Sequence, residues 1–273
     1  MRFGLKLALV TMVFVLAAAG GVAADTLERI KERGTIIVAA IPDTLPQAAR
    51  DSSGALTGFD IEVSEALAER MGLDISFETP TWQQVLAGDW KERWDICVCS
   101  MTPTENREKK LAFPAVYRMS PATLVVRKNN TTIKQPSDAS GKTIGVKADT
   151  TFESYLAHDL TIYKGENDIK YVIDNPKVVT FPDKNSALAA LAAGDDKLDA
   201  VVTSLAHARG TISKGSPVRV VNDFLFFEPL AITTEKDEEA LGDALQAAVE
   251  SLEEDGTLSQ LSEKWFGIDL TSQ

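Results

Sequence analysis

A run of hydroxyl side chains that ends in an arginine is the part of the chain best suited to bind an anion. Ser100 and Thr102 follow an apolar stretch, and Arg107 comes five residues later, with Thr104 placed to cap a helix between them. A guanidinium can donate two parallel hydrogen bonds to one carboxylate, and hydroxyls add donors beside it. The segment therefore predicts a carboxylate site. A capped helix with a solvated arginine is the alternative that these residues leave open.

No histidine or cysteine has the spacing of a metal site or of a nucleophile with its base. His158 and His207, the two histidines, share no ligand motif with Cys97 and Cys99, the two cysteines. Residues two apart in a strand face the same side, and bridging them needs distorted geometry. We therefore expect the cysteines to be small buried apolar side chains rather than a disulfide, and we expect neither metal nor cofactor.

Two segments of similar pattern indicate that the chain forms two similar lobes. Residues 86–100 and 191–204 each combine the end of a helix, a Gly-Asp break, an aspartate and an apolar strand. In each segment a serine, Ser100 or Ser204, comes five residues after that aspartate. Two lobes enclose a cleft, and clefts are where small ligands bind.

Apolar periodicity predicts an α/β fold in which strands and helices alternate. The clearest helix covers residues 59–71, where apolar and charged side chains alternate at helical spacing before Gly72. Ligands of open α/β sheets bind at the carboxyl ends of strands, and Ser100 lies at such an end. The other predicted elements are strands at residues 35–40, 74–78, 95–99, 123–126, 142–146, 178–181, 199–203, 218–221 and 230–233, and helices at 27–33, 82–86, 152–157, 186–193, 238–255 and 257–265.

The first 24 residues predict a secretory signal peptide, with a retained N-terminal anchor as the alternative. Arg2 and Lys6 precede apolar residues 7–19, and a small-residue cleavage site follows at residues 22–24. Cleavage would leave 249 residues, enough for one large domain or two of ordinary size. We therefore expect the product in the periplasm.

The acidic balance of the chain argues against nucleic acid and anionic membranes as partners. The formal net charge is −12, and it becomes −14 once the two positive charges of residues 1–24 are removed. Apolar residues make up 44% of the chain, which is enough for a substantial core. We expect a monomer that binds a small molecule.

Motifs spread over the chain resemble those of one protein family, the extracellular solute-binding proteins of polar amino acid ABC transporters (family 3). They occur in order over nearly all of the chain after the signal sequence, so the combination is more specific than any one motif. The motifs are Gly58-Phe59-Asp60, residues 95–107, Ala112-Phe113-Pro114, residues 141–146, Asp149-Thr150-Thr151, residues 255–258 and Lys264-Trp265-Phe266.

The resemblance implies a type II periplasmic-binding fold, in which two α/β lobes joined by two crossover strands close on a solute. We expect the first lobe to comprise residues 25–120 and 230–273 and the second to comprise residues 121–229. The resemblance also implies that the protein delivers its solute to the membrane permease of an ABC transporter.

Site residues follow from the resemblance by position in the motifs. Arg107 corresponds to the arginine that binds the α-carboxylate of the ligand, with Ser100 and Thr102 beside it. Thr150 and Thr151 correspond to a threonine pair at a helix start in the second lobe, where free N–H groups favour an anion. Together they predict a carboxylate held from both lobes.

For other positions of the motif, the residues leave an alternative open. Trp82 corresponds to the large side chain beside the ligand, although a core tryptophan is the alternative. Ser204 takes the place of an aspartate that accepts the α-ammonium of the ligand, and a hydroxyl cannot neutralise that charge. Asp43, Asp149 or Glu228 could replace it; loop solvation or a structural bond is the alternative for Asp43 and Glu228. A carboxylated ligand is thus better supported than a standard α-amino acid.

Two further functions remain open from the sequence. A dehydratase on the same scaffold would need an acid in the closed cleft, for which His207 and Glu228 are candidates, although we expect His207 on a helix surface. A ligand-sensing module would dock on a membrane receptor rather than on a permease. Neither alternative has a motif of its own in the chain.

Overall fold

The structure is a computed structural model that describes residues 25–42, 45–162, 169–194, 197–221 and 224–271. The expected signal peptide and Asp43 lie outside the described residues. No helix within these ranges is both long enough and apolar enough to cross a membrane.

The first lobe alternates strands and helices up to a long twelve-residue strand, β7. Its elements are α1 (Thr26–Arg33), β1 (Thr35–Ala39), β2 (Ala49–Arg50), β3 (Leu56–Thr57), α2 (Phe59–Met71), β4 (Asp74–Glu78), α3 (Trp82–Leu86), β5 (Ile96–Met101), α4 (Glu105–Glu108), β6 (Leu111–Ala112) and β7 (Val116–Arg127).

The chain then builds the second lobe and returns to the first through β12. The second-lobe elements are a 3₁₀ turn (Pro136–Ala139), β8 (Thr143–Lys147), α5 (Thr151–Leu156), β9 (Lys177–Phe181), α6 (Lys184–Ala192), β10 (Ala200–Ser204), α7 (Leu205–Ser213) and β11 (Val218–Val220). The returning elements are β12 (Phe226–Glu235), α8 (Glu239–Glu254) and α9 (Thr257–Phe266).

Two long antiparallel strands join two groups of parallel strands. The main sheet runs β4-β1-β5-β12-β7-β10-β8-β9, with β1 parallel to β4 and β5, and β8 parallel to β9 and β10. Between these groups, β7 and β12 pair with each other from Phe226 opposite Ala122 to Leu230 opposite Arg118. This is the expected α/β architecture of two lobes joined by two crossover strands.

Each lobe has its own hydrophobic core, and both crossover strands contribute to both cores. In the first lobe α8 buries Leu241, Leu245 and Val249 at helical spacing against α2. Tyr117 of β7 joins that core, whereas Leu124, seven residues later on the same strand, joins the second-lobe core. The join between the lobes is therefore well ordered secondary structure rather than a loose linker.

A glycine fixes the start of α2, the helix that carries Asp60 toward the cavity described below. Gly58 has φ 132°, and a Cβ there would lie 2.3 Å from the carbonyl oxygen of Gln47. The approach is close because the backbone N–H of Asp60 donates to that same oxygen. A side chain at Gly58 would push apart the loop and the helix that together form one wall of the cavity.

The expectation for the cysteines is wrong, because Cys97 and Cys99 form a disulfide. Their Cα atoms lie 5.6 Å apart, inside the range that a disulfide spans. The pairing of β5 with β12 shifts here, so that the five residues from Cys97 to Met101 lie opposite the three residues from Ala231 to Thr233 of β12. The extra residues bend β5, and Ser100 has a left-handed φ of 53°. The expectation assumed a regular strand, whereas β5 is irregular at these two cysteines.

Candidate ligand-binding site

A cavity lies between the two lobes at the carboxyl ends of β5 and β8. Its volume is about 60 Å³, room for a few water molecules, so the lobes meet closely around it. The lining residues are Ile41, Gln47, Asp60, Trp82, Cys99, Ser100, Thr102 and Arg107 of the first lobe, Lys147, Thr150, Thr151, Phe152 and Lys184 of the second, and Glu228 of β12.

Arg107 connects the two lobes at this cavity. Thr104 caps the short helix α4 by accepting from the Arg107 backbone N–H at 3.3 Å, as the sequence predicts. The guanidinium donates from Nη1 to the Thr102 carbonyl oxygen at 2.8 Å and from Nη2 to the Asp149 carbonyl oxygen at 3.1 Å. Burial lowers the pKa of Arg107 to about 10, against the opposing charges of Glu228 and Asp149. The group therefore stays cationic at neutral pH.

Trp82 lies beside Arg107 and, like Arg107, donates a hydrogen bond to the second lobe. Thr81 and Gln84 form a reciprocal cap that starts α3 at Trp82. The indole Nε1 donates to the Asp149 carbonyl oxygen at 3.1 Å, and the Arg107 guanidinium lies 5.3 Å from the ring centroid. Trp82 is half-buried; it lines the cavity and also packs against the apolar cluster that contains Trp90 and Trp94.

Glu228 accepts a hydrogen bond from a hydroxyl group of each lobe. Its side chain is on β12 and the residue is 4% exposed. Oε2 accepts from Thr102 Oγ1 at 2.6 Å and from Thr151 Oγ1 at 2.5 Å. Oε1 accepts no hydrogen bond from the residues that the structure describes.

Ser100 belongs to a hydrogen-bond network in the first-lobe wall of the cavity. Its Oγ donates to Asp60 Oδ2 at 2.7 Å, and its backbone N–H donates to the Tyr117 hydroxyl at 2.9 Å. Tyr117 in turn donates to Asp60 Oδ1 at 2.9 Å, and Arg118 Nη2 donates to Ser100 Oγ at 2.8 Å. Burial raises the pKa of Asp60, whereas Arg118 and the two hydroxyl donors lower it; burial also raises the pKa of Tyr117. Ser100 therefore holds the wall in position.

The two second-lobe threonines both line the cavity. Thr150 immediately precedes α5 at its N-cap position without a side-chain capping bond, and its hydroxyl donates to the Lys147 carbonyl oxygen at 2.7 Å. Thr151 uses its hydroxyl on Glu228, as described above. Both residues thus face Arg107 from across the cleft, as the resemblance implies.

Two predicted positions lie elsewhere or contribute differently. Ser204 caps α7, accepting from the His207 backbone N–H at 3.4 Å, and it is not among the residues that line the cavity. Asp149 contributes its backbone carbonyl, from a left-handed conformation of φ 58°. Of the three acids considered as ammonium partners, Glu228 is the described one that lines the cavity.

The expectation that His207 lies on a helix surface is wrong. The residue is 0% exposed, because α7 packs against β7 and β10 with its first turn facing inward. His207 does not line the cavity.

Sequence reasoning missed several residues at the site, among them the charged lining residues Asp60, Lys147 and Lys184, and Tyr117, which donates to Asp60. Lys147 could have been found, since it ends β8 and ligands bind at the carboxyl ends of parallel strands. Asp60 was visible within a family motif but had no assigned role. Nothing in the sequence near Lys184 indicates that the start of α6 reaches the cleft.

Comparison with known proteins places the chain in a family. A two-lobed α/β fold with a charged cavity between the lobes defines a periplasmic-binding protein of type II. A sequence profile of the bacterial extracellular solute-binding proteins, family 3, matches residues 36–268. The protein belongs to this family.

Relatives and solved structures agree with that placement. The L-cystine-binding protein TcyJ of Escherichia coli (strain K12) is 30% identical over 247 residues, covering 90% of this chain and 87% of TcyJ. The crystal structure of the ancestral amino acid-binding protein AncCDT-1, a precursor of cyclohexadienyl dehydratase, matches with a TM-score of 0.76 and 29% identity over 89% of this chain and 100% of that one. An ancestral arginine-binding protein bound to arginine matches with a TM-score of 0.72 and 29% identity over 86% of this chain and 99% of that one.

The family and its named relatives are binding proteins. This protein is accordingly a solute-binding protein and not an enzyme, and the dehydratase alternative is not supported.

Proposed function

We propose that the protein captures a small carboxylated, amino-acid-like solute between its lobes and delivers it to the membrane permease of an ABC transporter. The observation that carries this proposal is the guanidinium of Arg107, which lies in the cleft and already donates to a carbonyl oxygen of the opposite lobe. A carboxylate is a better acceptor than that carbonyl, because a charged pair of hydrogen bonds is stronger than a bond to a neutral oxygen.

The carboxylate of the solute binds Arg107, with the hydroxyl of Thr102 and those of Thr150 and Thr151 completing its surroundings. All four residues line the same cavity. Ser100 keeps the first-lobe wall in place through Asp60. Trp82 covers the bound solute and contacts Arg107 through its ring.

Glu228 takes the place of the missing aspartate and accepts the α-ammonium of the solute. It is a buried acid in the cavity, and its Oε1 accepts no hydrogen bond from the described residues. An ammonium in this desolvated position needs a full negative charge nearby, which the hydroxyl of Ser204 cannot supply. Ser204 would then act as the cap of α7, outside this contact.

Binding proceeds by closure of residues 121–229 over residues 25–120 and 230–273. The two crossover strands β7 and β12 allow such a rotation, and a ligand that contacts both lobes favours the closed form. The protein acts as a monomer in the periplasm after removal of residues 1–24, and docks on its permease there. The names of the relatives support amino acids and cystine as the first solutes to test.

A thermal-shift screen tests the proposal directly. Purified protein, unfolded and refolded to remove any solute carried through purification, is mixed with each of the twenty amino acids and with cystine. At least one should raise the melting temperature in a concentration-dependent way, because a ligand that binds only the folded state stabilises it. A screen in which neither amino acids nor cystine shift the melting temperature contradicts the proposal.

A further inference from the structure

Gln47 carries a buried oxygen without a hydrogen bond in the first-lobe wall of the cavity. The residue lines the cavity beside Ile41 and Asp60 and is 8% exposed. Its side-chain oxygen Oε1 is buried and accepts no hydrogen bond from the residues that the structure describes. Among the described lining residues, Gln47 is the one whose side chain buries a polar atom in this state. A buried carbonyl oxygen without a donor is unfavourable, so its place in the wall calls for a physical reason.

The backbone holds Gln47 against the cavity. The carbonyl oxygens of Pro46 and Gln47 accept hydrogen bonds of 2.9 Å from the backbone N–H groups of Phe59 and Asp60, the first two residues of α2. Phe59 is fully buried in the first-lobe core, so this helix start is fixed by packing. Gln47 is therefore attached to a rigid element, which is a suitable base for a specific contact.

The lysines of the opposite wall already have partners within the protein. Lys184 interacts electrostatically with Asp60, and Lys147 does so with Asp183. The guanidinium and the carboxylate of the site are assigned to the α-carboxylate and the α-ammonium of the solute. Gln47 is therefore the polar residue of the wall that is left to contact the side chain of the solute.

We propose that Gln47 determines solute specificity by accepting a hydrogen bond from a donor on the side chain of the solute. This inference rests on the proposed function and deepens it, because it names the solute class: amino acids whose side chain carries an N–H or O–H donor. An amide or amine nitrogen supplies such a donor. A carboxylate or an alkyl group does not, and it would leave the amide oxygen of Gln47 buried and unpaired in the complex, which is how polar sites reject close analogues.

Isothermal titration with solutes of matched shape measures this preference at neutral pH. The pairs are asparagine with aspartate, glutamine with glutamate, and ornithine with norleucine, and in each pair only the first member has a donor on its side chain. The first member of at least one pair should bind on the order of tenfold more tightly, as one hydrogen bond commonly contributes. If the first member binds more tightly in none of the pairs, the inference is overturned and the proposed function remains. If neither this panel nor the thermal-shift screen reveals any bound amino acid, both fall together.

Variants of Gln47 test whether this side chain is responsible. Gln47→Met keeps the length of the side chain and removes the acceptor, Gln47→Glu keeps an acceptor oxygen, and Gln260→Met, at an exposed position of α9, is the control. Gln47→Met should weaken the donor-bearing member of the favoured pair by about tenfold and change the other member less than about twofold, whereas Gln47→Glu should retain the preference.

The same titrations separate a specific contact from a structural one. Retained binding of the member without a donor shows that Gln47→Met is folded. Equal losses for both members would indicate that Gln47 only supports the wall, and unchanged selectivity would indicate that it does not contact the solute. Loss of the preference in Gln47→Glu would indicate that the carboxamide donates rather than accepts. Each of these three results would overturn the inference.

Discussion

Arg107 and Asp149 are joined across the cleft by a hydrogen bond of 3.1 Å, from the guanidinium of one lobe to a backbone carbonyl oxygen of the other. Trp82 donates to the same oxygen. Two first-lobe side chains thus converge on one second-lobe acceptor, which is the geometry that a ligand oxygen would meet. The predictions below follow from this contact and from the groups around it.

Replacing the guanidinium should weaken solute binding even when the positive charge is kept. Arg107→Lys loses the paired donors and Arg107→Ala loses the charge as well, so we expect affinity losses of about tenfold or more and about a hundredfold or more. Isothermal titration with the solute found by thermal shift measures both. Arg50→Lys, at an exposed arginine of β2, is the control. Undiminished affinity in both Arg107 variants would remove this residue from the site.

Neutralising Glu228 should weaken binding of the ammonium group of the solute and leave binding of its carboxylate unchanged. Glu228→Gln keeps the shape of the side chain, so we expect at least about a tenfold loss for the amino acid and little change for its deaminated analogue. Competition binding with the two compounds measures the difference. Glu239→Gln, at an exposed position of α8, serves as the control. Equal losses for both compounds would indicate a structural role for Glu228.

Asp255 should stabilise the fold at neutral pH and lose that effect in acid. Hydrogen bonds from Thr257 and Arg70 lower its pKa from 3.8 to about 2. Because the folded pKa is below the unfolded one, the stabilisation is present above about pH 4 and disappears as the pH falls through about 2. The difference in melting temperature between the wild type and Asp255→Asn should therefore shrink between pH 5 and pH 2. A constant difference, or one that matches the exposed control Asp74→Asn, would contradict this.

The cysteines should resist alkylation in purified protein. Cys97 and Cys99 are joined in a disulfide, so iodoacetamide under denaturing conditions should add no mass until a reductant is supplied. Two additions should then appear in the intact mass spectrum. Alkylation without reductant would show that the strand holds two thiols in the isolated protein.

Elements with a clear signal at both ends were predicted to the residue. The helix α2 has the predicted bounds because Gly72 ends it in a left-handed conformation and helical periodicity fills the space before it. By contrast, β7 was predicted as residues 123–126 but is twelve residues long. Its first half contains Arg118 and Ser120, polar residues that are buried in the structure; the Arg118 guanidinium lies against the rings of Phe59 and Phe266, which come from α2 and α9.

The residues of the candidate site likewise fall into those that the sequence indicates and those that it does not. Arg107 and the threonines belong to local motifs, and the structure places all of them in the cavity. Lys147, Lys184 and Glu228 come from three separate elements that only tertiary folding brings together. The disulfide depends on a register shift between β5 and β12, a property of two strands that no single segment encodes.

One oxygen of Glu228 accepts a hydrogen bond from a hydroxyl of each lobe. This shared contact links solute binding to closure of the lobes. Separating the lobes would remove Thr151 from that oxygen and, in the same movement, the Asp149 carbonyl from Arg107. An open cleft would then expose to solvent an anion at its floor and a cation at its rim, each without its second-lobe partner. A zwitterion can bind both charged groups at once, whereas acetate can bind only the cation and methylamine only the anion. Fragments of the solute that carry only one charge should consequently bind without closing the two lobes.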